Sequence, residues 1–341
     1  MTRAAFVNQL GDPSVIEVGD LPVPTVGPLD VLVQAEAMAV NHVDTFVRSG
    51  SYATATPFPF VVGRDLVGTV SAVGAGVSGF EVGDRVWTNS MGHGGRQGTF
   101  ADVVVVPAER LYPLPAGVPA HDAARVLHVA ATAWLGLFRH ASLSLGETVL
   151  VNGAGGGLGT AVVQVAKTAG AFVVATTSAD DVDWVRSCGA DVVLDHRSSS
   201  LAADVESAAP SGVDVWWDNS GINDVGFALP RLALGGRFVL ISGLDSRPSV
   251  RAGDLYTRDA SLLGFAISNA SVSDLASAAR SINALLERGA LRSRVGEVFP
   301  LSRAADAHRA LESGAKGRLL VVPDDSLHLA GSRGGRGTVR T

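Results

Sequence analysis

Residues 149–170 have the sequence VLVNGAGGGLGTAVVQVAKTAG, in which an apolar run, a glycine-rich turn and a second apolar segment follow one another. The run Val149–Val151 predicts a buried strand, and the segment after the turn predicts a helix at about 158–169. Gly156 lets the main chain approach a pyrophosphate, while Gly159 permits close packing of strand and helix. This order is typical of a dinucleotide-binding entry, although an ordinary surface turn is the alternative.

The start of this helix is the expected phosphate site. Gly157 and Leu158 lie where the helix begins, so free N–H groups and the positive end of the helix dipole face the phosphates there. Ala154 stands in place of the first glycine of the usual fingerprint.

Composition limits the class of protein. The chain has 341 residues, 47% hydrophobic and 18% charged, with a formal net charge of -6. These values predict a globular enzyme with two domains, and they argue against nucleic acid or a membrane as partner. A small-molecule substrate is expected. The lone Cys188 excludes an internal disulfide and a cysteine-cluster zinc site, and the absence of a leader pattern or long apolar run predicts a cytoplasmic protein.

The spacing of glycines and the alternation of apolar patterns along the sequence predict four segments. Short β-branched runs between glycines make residues 1–122 a β-rich, barrel-like domain. Alternating strands and helices over 123–264 predict a doubly wound parallel sheet. Residues 265–323 are expected to return to the first domain, and 324–341 to form a loose tail. Within the sheet domain, strands are predicted at 172–177, 192–194, 213–217, 237–241 and 261–267, and helices at 181–187 and 224–234.

Three further motifs carry a family resemblance. They are NHVDTFVRSGSY at 41–52, GRDLVGTV at 63–70 and GDRV at 83–86. In this order the chain resembles the medium-chain dehydrogenase/reductase superfamily, and the first motif is similar to its zinc-independent quinone oxidoreductase branch. The resemblance implies an α/β fold in which a GroES-like β-rich catalytic domain contains an inserted Rossmann-type domain.

The resemblance also bears on metal chemistry. Zinc alcohol dehydrogenases of this superfamily hold a catalytic zinc at positions that fall on Asn41, Arg64 and His128. A neutral amide is a poor ligand and a permanent guanidinium repels the ion, so no metal is expected. Val43 stands where those enzymes have a proton-relaying hydroxyl, which disfavours alcohol oxidation.

The expected reaction is therefore hydride transfer to a quinone or an α,β-unsaturated carbonyl, whose conjugation makes a metal unnecessary. The resemblance implies that Asn41, Asp44 and Tyr52 lie beside the nicotinamide and that Thr132 lies on its other side. Tyr52 is the favoured hydrogen-bond or proton donor to the acceptor. Loops 51–60 and 89–98 are expected to form the part of the cleft that determines which acceptor binds.

Each of these residues has a structural alternative. Asn41 is also a good helix N-cap, and Asp44 an acid favoured in a first helical turn. Tyr52 lies in a loop, so a solvated lid position competes with catalysis. His128 is either a packed, hydrogen-bonded histidine or a proton donor.

The choice of cofactor depends on the strand end near residue 177. Thr177 and Ser178 stand where an NAD enzyme carries an acid, which favours NADPH. The negative charge of Asp181 opposes this preference because it would repel the 2′-phosphate of NADPH, and the positive charge of Arg197 can compensate for that repulsion. NADPH is predicted, with NADH open.

Other cofactor contacts are expected at strand ends, where open α/β sheets bind ligands. These are Asn219, Ser242 and Gly243. The resemblance adds Phe265, Ile267 and Arg318, and implies a homodimer joined at strand 261–267, whose edge would otherwise be exposed.

Two rival functions remain. An enoyl-thioester reductase of lipid or polyketide metabolism would need a basic or long groove for a carrier-bound acyl chain, and the sequence shows no cationic cluster. A non-catalytic NADPH-binding redox sensor would retain the nucleotide domain without turnover.

Overall fold

The computed structural model describes residues 1–326, which divide into two compact units. Unit 1 combines Met1–His128 with the described residues from Arg294, which end at 326, and unit 2 is Val129–Ser293. No helix within the described residues is long and apolar enough to cross a membrane.

The chain forms sixteen named strands within the described residues. They are β1 Thr2–Val7, β2 Glu17–Leu21, β3 Asp30–Ala39, β4 Phe60–Val61, β5 Leu66–Val73, β6 Arg85–Thr88, β7 Val103–Pro107, β8 Tyr112–Pro113, β9 Thr148–Asn152, β10 Phe172–Thr177, β11 Val192–Asp195, β12 Val213–Asp218, β13 Leu232–Leu240, β14 Ser261–Gly264, β15 Val295–Pro300 and β16 Arg318–Val322.

The α-helices of the described part are α1 His42–Ser49, α2 Ala120–Trp134, α3 Gly157–Thr168, α4 Val182–Ser187, α5 Leu201–Ala208, α6 Val225–Ala228, α7 Ala252–Tyr256, α8 Val272–Glu287 and α9 Ala304–Glu312. A π-helical stretch, Leu135–His140, continues α2.

Unit 1 is built on two sheets. One has the order β15-β16-β3-β5-β6-β8 with β7 also paired to β3, and the other has the order β2-β1-β4. The long strand β3 runs antiparallel to β5 and β7, and its inward side chains, such as Val31 and Val33, are fully buried. A Cβ at Gly68 would lie 2.1 Å from the carbonyl oxygen of Gln34, so only glycine lets β5 approach β3 this closely.

Unit 2 is a six-stranded parallel sheet with the order β11-β10-β9-β12-β13-β14. Strand β9 is at the centre, and Val149, Leu150 and Val151 have no exposed surface because the sheet is covered on both faces. From β9 the chain first adds strands on one side, β10 and β11, and then on the other, β12 to β14. This change of direction between β9 and β12 is the doubly wound arrangement of a Rossmann-type domain. The predicted fold class is thus confirmed.

Three predicted elements were clearly wrong in their limits. The strand expected at 237–241 begins five residues earlier, at Leu232, and ends at Leu240. The helix expected at 224–234 stops at Ala228, because Leu229–Arg231, which contains Pro230, is a short 3-10 turn and Leu232 already pairs with Val213 in the sheet. The strand expected at 261–267 ends at Gly264, and Ile267 instead begins a 3-10 turn.

Helix α5 had not been predicted from the sequence, since it is short and only Val205 is fully buried. Of the predicted tail, Asp324 accepts a hydrogen bond from the Ser302 N–H (2.9 Å) and pairs with Arg3 at 3.1 Å. The remainder, from residue 327, lies outside the described residues.

Candidate active site

Helix α1 carries the first predicted site residues, and its position is fixed from both ends. It begins directly after Asn41 and ends at Gly50, whose φ of 85° stops the helix. The buried Arg48 donates to the Gly11 carbonyl (3.1 Å) and to Glu312 of α9 (2.6 Å). The start of α1 is therefore a rigid platform.

Asn41 belongs to a buried network at this start. Its Nδ2 donates to Asp65 Oδ2 (2.9 Å), while its Oδ1 accepts a hydrogen bond from Arg318 Nη2 (2.6 Å). Arg318 Nε donates to the Arg125 carbonyl, and Asp65 Oδ1 accepts from the Ala39 N–H. Asn41 does stand at the N-cap position, but both ends of its amide are held by the two charged side chains.

Asp44 lies one turn into α1 and is 3% exposed. Its Oδ2 reaches back to accept a hydrogen bond from the Asn41 N–H at 2.8 Å, whereas its Oδ1 is buried and finds no partner among the described residues. Burial, and then the nearby Asp65 carboxylate, raise the pKa of Asp44 to about 7. Burial also raises the pKa of Asp65, to about 6. The first-turn acid is thus also a carboxyl group that exchanges its proton near neutral pH.

His128 is buried on α2 in unit 1. Burial, followed by the positive charges of Arg64 and Arg318, lowers the pKa of His128 to about 3, while a backbone hydrogen bond with Asn89 acts in the other direction. The ring is neutral at physiological pH, as expected of a packed histidine. A neutral imidazole is a weak proton donor. The burial and low pKa of His128 therefore favour a packed, hydrogen-bonded histidine over a proton donor.

The side chain of Arg64 bears on whether the site formed with Asn41 and His128 could bind a metal ion. Its side chain is 1% exposed, and its Nε and Nη2 are buried without a hydrogen-bond partner in the described part of the chain. Its charge also acts on Asp44, Tyr52 and His128. A cation at this position repels Zn²⁺, and both ends of the Asn41 amide are already engaged. These residues do not fit a catalytic zinc, and within residues 1–326 no group of three or more His, Cys, Asp or Glu could hold a metal ion.

Tyr52 lies where the two predicted acceptor loops meet. Its ring stacks on that of His93, with centroids 5.8 Å apart and an interplanar angle of 26°. Hydrogen bonds also join the two loops. The Gly94 N–H donates to the Thr54 side-chain Oγ1, and the Gly95 N–H donates to the Ala55 carbonyl. Tyr52 is therefore held between the two loops rather than extended into solvent.

The structure corrects the expectation that the chain has no cationic cluster. Arg64, Arg96 and Arg110 lie close enough to influence one another, and together they lower the pKa of His93 after the larger effect of its burial. We call this set the arginine cluster. Its members come from three separate segments of the chain, so no local charge run in the sequence reveals it.

In unit 2, the glycine turn forms the predicted platform. Gly153 has a φ of 75° and helix α3 begins at Gly157, one residue before the predicted start. A Cβ at Gly159 would lie 2.3 Å from the Gly153 carbonyl oxygen, so glycine is required for this packing. A Cβ at Gly156 would meet no atom nearer than 3.8 Å, which leaves open space before the first N–H groups of α3. This arrangement fits a bound pyrophosphate.

The end of β10 carries the residues expected to select the cofactor. Ser178 Oγ donates to Asp181 Oδ2 at 3.1 Å. A Cβ at Gly155 would lie 2.6 Å from this Asp181 oxygen and 2.7 Å from Thr177 Oγ1. The Asp181 carboxylate therefore faces the glycine turn. Arg197 is exposed just beyond Asp195, which pairs with Thr177 at the same edge of the sheet.

The ends of the neighbouring strands β9, β12 and β13 are joined by polar side chains. Asn219 Nδ2 donates to the Asn152 carbonyl (3.2 Å), and Ser242 Oγ contacts the Asp218 carbonyl (3.5 Å). A Cβ at Gly243 would lie 2.3 Å from the Gly221 carbonyl oxygen, so two loops pass closely here. The predicted residues Asn219, Ser242 and Gly243 thus share the carboxyl edge of the sheet with the glycine turn.

The remaining predicted cofactor residues lie elsewhere. Thr132 is buried on α2. The Phe265 ring stacks on His140 (4.5 Å) and meets the Trp217 ring edge-on (6.1 Å), while Ile267 is buried after β14. Arg318, in unit 1, holds Asn41. Their contact with a cofactor stays a prediction.

Comparison with known proteins places these two units in a family. Residues 27–116 match the model of the alcohol dehydrogenase GroES-like domain, and residues 157–283 match that of the zinc-binding dehydrogenase. The quinone oxidoreductase of Rattus norvegicus is 30% identical over 327 residues, which cover 94% of this chain and 98% of the relative. The chain belongs to the medium-chain dehydrogenase/reductase superfamily, in its quinone oxidoreductase branch.

Two other relatives are informative. A mycobacterial protein solved in complex with NADPH is 30% identical, with a TM-score of 0.82, 95% of this chain covered and 100% of the other. A mycocerosic acid synthase-like polyketide synthase of Mycobacterium tuberculosis is 33% identical over 308 residues, which cover 88% of this chain and 14% of that much longer protein. The family is one of oxidoreductases, which supports an enzyme that binds NADP(H).

Sequence reasoning missed Asp65, Arg96 and Arg110 as site residues. Asp65 was within a quoted motif, and an acid beside Gly63 and Arg64 in an otherwise apolar segment is the signal that identifies it. Arg96 and Arg110 gave no such signal, because their importance arises only from folding.

Proposed function

We propose that this protein is a zinc-independent reductase that transfers hydride from NADPH to a quinone or an α,β-unsaturated carbonyl. The relatives that cover nearly the whole chain are named quinone oxidoreductases, and one solved neighbour is a complex with NADPH. Both support this substrate class and this cofactor.

The observation that carries the proposal is the burial of the Arg64 guanidinium. The family resemblance assigns this position to a ligand of the catalytic zinc in zinc dehydrogenases. Without a Lewis acid there, a simple ketone or alcohol lacks activation. A conjugated acceptor is reactive by itself, because the charge that develops on reduction spreads to a carbonyl oxygen.

The chain's own residues have distinct tasks in this proposal. NADPH, when bound, supplies the hydride. The glycine turn and the start of α3 hold its pyrophosphate, and Asn219, Ser242 and Gly243 form the sheet edge beside it. Asn41 is oriented by Asp65 and Arg318. Tyr52 donates a hydrogen bond or proton to the acceptor oxygen. Asp44, whose pKa is raised to about 7 mainly by burial and which, like Tyr52, interacts with the charge of Arg64, is a reservoir for the proton.

A second candidate is reduction of enoyl thioesters. The polyketide synthase relative and the arginine cluster both favour it, since carriers of thioesters bear phosphates. The third possibility, a redox sensor without turnover, has no observation in its favour beyond the nucleotide platform.

The test follows NADPH absorbance with a small quinone, a neutral enone and an enoyl thioester. We expect turnover with quinone or enone. Turnover with the thioester alone supports the second candidate, and binding of NADPH without turnover of any acceptor overturns the proposal in favour of a sensor.

A variant assigns the donor. Tyr52→Phe keeps the ring that stacks on His93 and removes only the hydroxyl. We expect a lower kcat with enones and an unchanged Kd for NADPH. Unchanged rates would remove Tyr52 from the mechanism.

A further inference from the structure

We infer that the acceptor carries an anionic group, a carboxylate or phosphate, which binds to the arginine cluster formed by Arg64, Arg96 and Arg110. This inference rests on the proposed function, because it names the class of acceptor. It concerns only unit 1.

The three arginines converge on one short segment. Arg96 Nη2 donates to the Ser90 carbonyl (3.2 Å), and Arg110 Nη1 donates to Ser90 Oγ (3.3 Å). The carbonyl of Arg64 accepts a hydrogen bond from the next residue, Met91, at 3.1 Å. The side chains of Arg96 and Arg110 thus meet at Ser90, the main chain of Arg64 is bonded to the next residue, and the charge of Arg64 acts on both Arg96 and His93.

The charges of this cluster are poorly compensated within the described residues. Arg64 Nε and Nη2 and Arg96 Nε are buried without a hydrogen-bond partner. Arg110 has Glu109 at 3.9 Å, but the Glu109 side chain is 63% exposed, so the pair is weak. Asp44 and Asp65 influence Arg64, yet the hydrogen bonds that they accept come from Asn41 and Ala39.

Such a cluster is costly in the absence of an anion. Burial lowers the pKa of Arg96, and the positive charges of Arg110 and Arg64 lower it further. The buried nitrogens without a partner, Nε and Nη2 of Arg64 and Nε of Arg96, lose hydration without replacing it. An anionic ligand restores both the hydrogen bonds and the charge balance, and the planar guanidinium suits the two oxygens of a carboxylate or phosphate.

The position of the cluster links it to the acceptor. His93, which the three arginines influence, stacks on Tyr52, the proposed donor. The rings of Tyr52 and His93 offer a flat surface to the conjugated part of an acceptor, while the arginines take its anionic end. A neutral quinone would leave the cluster without a partner.

Matched acceptors test the inference on the full-length enzyme with NADPH. One pair is 3-benzoylacrylate and its neutral methyl ester, and the other is crotonyl-coenzyme A and neutral crotonyl-N-acetylcysteamine. The first pair tests whether the cluster recognises a carboxylate on the acceptor itself. The second pair tests whether it recognises the phosphates of a carrier. We expect kcat/KM to favour the anionic member of one pair by about tenfold or more, mainly through KM.

Variants then assign the preference to the cluster. Arg96→Gln and Arg110→Gln should reduce the anionic-to-neutral ratio towards one, and Arg96→Lys should restore part of it, because it keeps the charge. Arg288→Gln, at an exposed position after α8, is the matched control. Equal kcat/KM within both pairs, or a ratio that survives both glutamine variants, would overturn the inference.

A binding measurement separates this inference from the proposed function. Calorimetric titration with benzoate and with neutral benzamide needs no turnover. We expect tighter binding of benzoate to the wild type and loss of this difference in Arg96→Gln. No preference for benzoate contradicts the anion site even if quinones are reduced, whereas a preference without turnover of any acceptor supports the site and refutes the proposed reaction.

Discussion

A single side chain, Arg64, distinguishes this site from that of a zinc dehydrogenase. Its guanidinium is buried near Asp44, Tyr52 and His128, so a permanent positive charge is present at the position that the family resemblance assigns to a zinc ligand. Asn41 is held in one orientation by Asp65 and Arg318. In the proposed function, the chemistry of the site therefore depends on fixed charges and hydrogen bonds rather than on a Lewis acid.

Asp44 allows a test of this electrostatic description. Because burial raises the pKa of Asp44 to about 7, the folded protein keeps a proton that the unfolded chain releases near pH 4. We predict that the free energy of unfolding of the wild type falls, relative to Asp44→Asn, as pH rises from about 4 to about 8, by at most about 1.4 kcal/mol per pH unit.

Urea unfolding across this pH range measures the effect. Asp183→Asn, with a fully exposed side chain, is the matched control. Parallel stability curves for the wild type and Asp44→Asn would contradict the assignment.

The residues that sequence analysis selected in unit 1 were largely those that the fold brings together. Asn41 and Asp44 lie in one motif, so their proximity follows from a helix start. Asn41 contacts Arg318, and Arg64 lies near Arg96 and Arg110, only because folding brings distant segments together, so these contacts could not be derived from local patterns.

At the scale of elements, the glycine turn between β9 and α3 was the most predictable feature. Its apolar flanks and glycine spacing specify a strand, a turn and a helix without help from the rest of the chain. Elements with weak local signals were predicted less well. Helix α6 ends early because strand pairing from Leu232 prevails over the helical pattern, and α5 is too short to show a clear periodicity.

Gly159 tests the packing of this turn. We predict that Gly159→Ala lowers the free energy of unfolding by about 1–3 kcal/mol and weakens NADPH binding, because its Cβ would meet the Gly153 carbonyl oxygen. Gly253→Ala is the matched control, since no atom lies within 4 Å of its Cβ. Thermal unfolding and NADPH titration measure both effects. Equal stability of the two variants would contradict this packing argument.

Asp181 tests the selection of cofactor. Its carboxylate faces the glycine turn, next to the predicted site of the 2′-phosphate. We predict that Asp181→Ser raises the ratio of NADPH to NADH affinity, by about tenfold, because a repulsive charge is removed. Fluorescence titration with both cofactors measures the ratio. Asp183→Ser is the control, and an unchanged ratio in Asp181→Ser would show that Asp181 takes no part in selection.

At the scale of the whole molecule, the contrast between a glycine-punctuated β-rich segment and a strictly alternating segment was enough to predict two kinds of fold in one chain. The family match agrees with both. The domain limits and the cytoplasmic location stay predictions, as does the homodimer.

The sheet of unit 2 gives the homodimer a physical reason. Strand β14 is at the end of the strand order, so one of its edges is unpaired within the described residues. We predict that sedimentation velocity gives twice the mass of one chain at micromolar concentrations, because joining two such edges removes exposed main-chain groups. A single-chain mass throughout that range would contradict this assembly.

The central claim is that conjugation of the acceptor, together with fixed protein charges, replaces a catalytic metal. It is tested most directly by measuring the metal content of untagged protein by mass spectrometry alongside NADPH oxidation with a quinone, before and after treatment with a chelator. We expect turnover at far less than one zinc per chain and no loss of rate on chelation. Stoichiometric zinc whose removal abolishes turnover would contradict it.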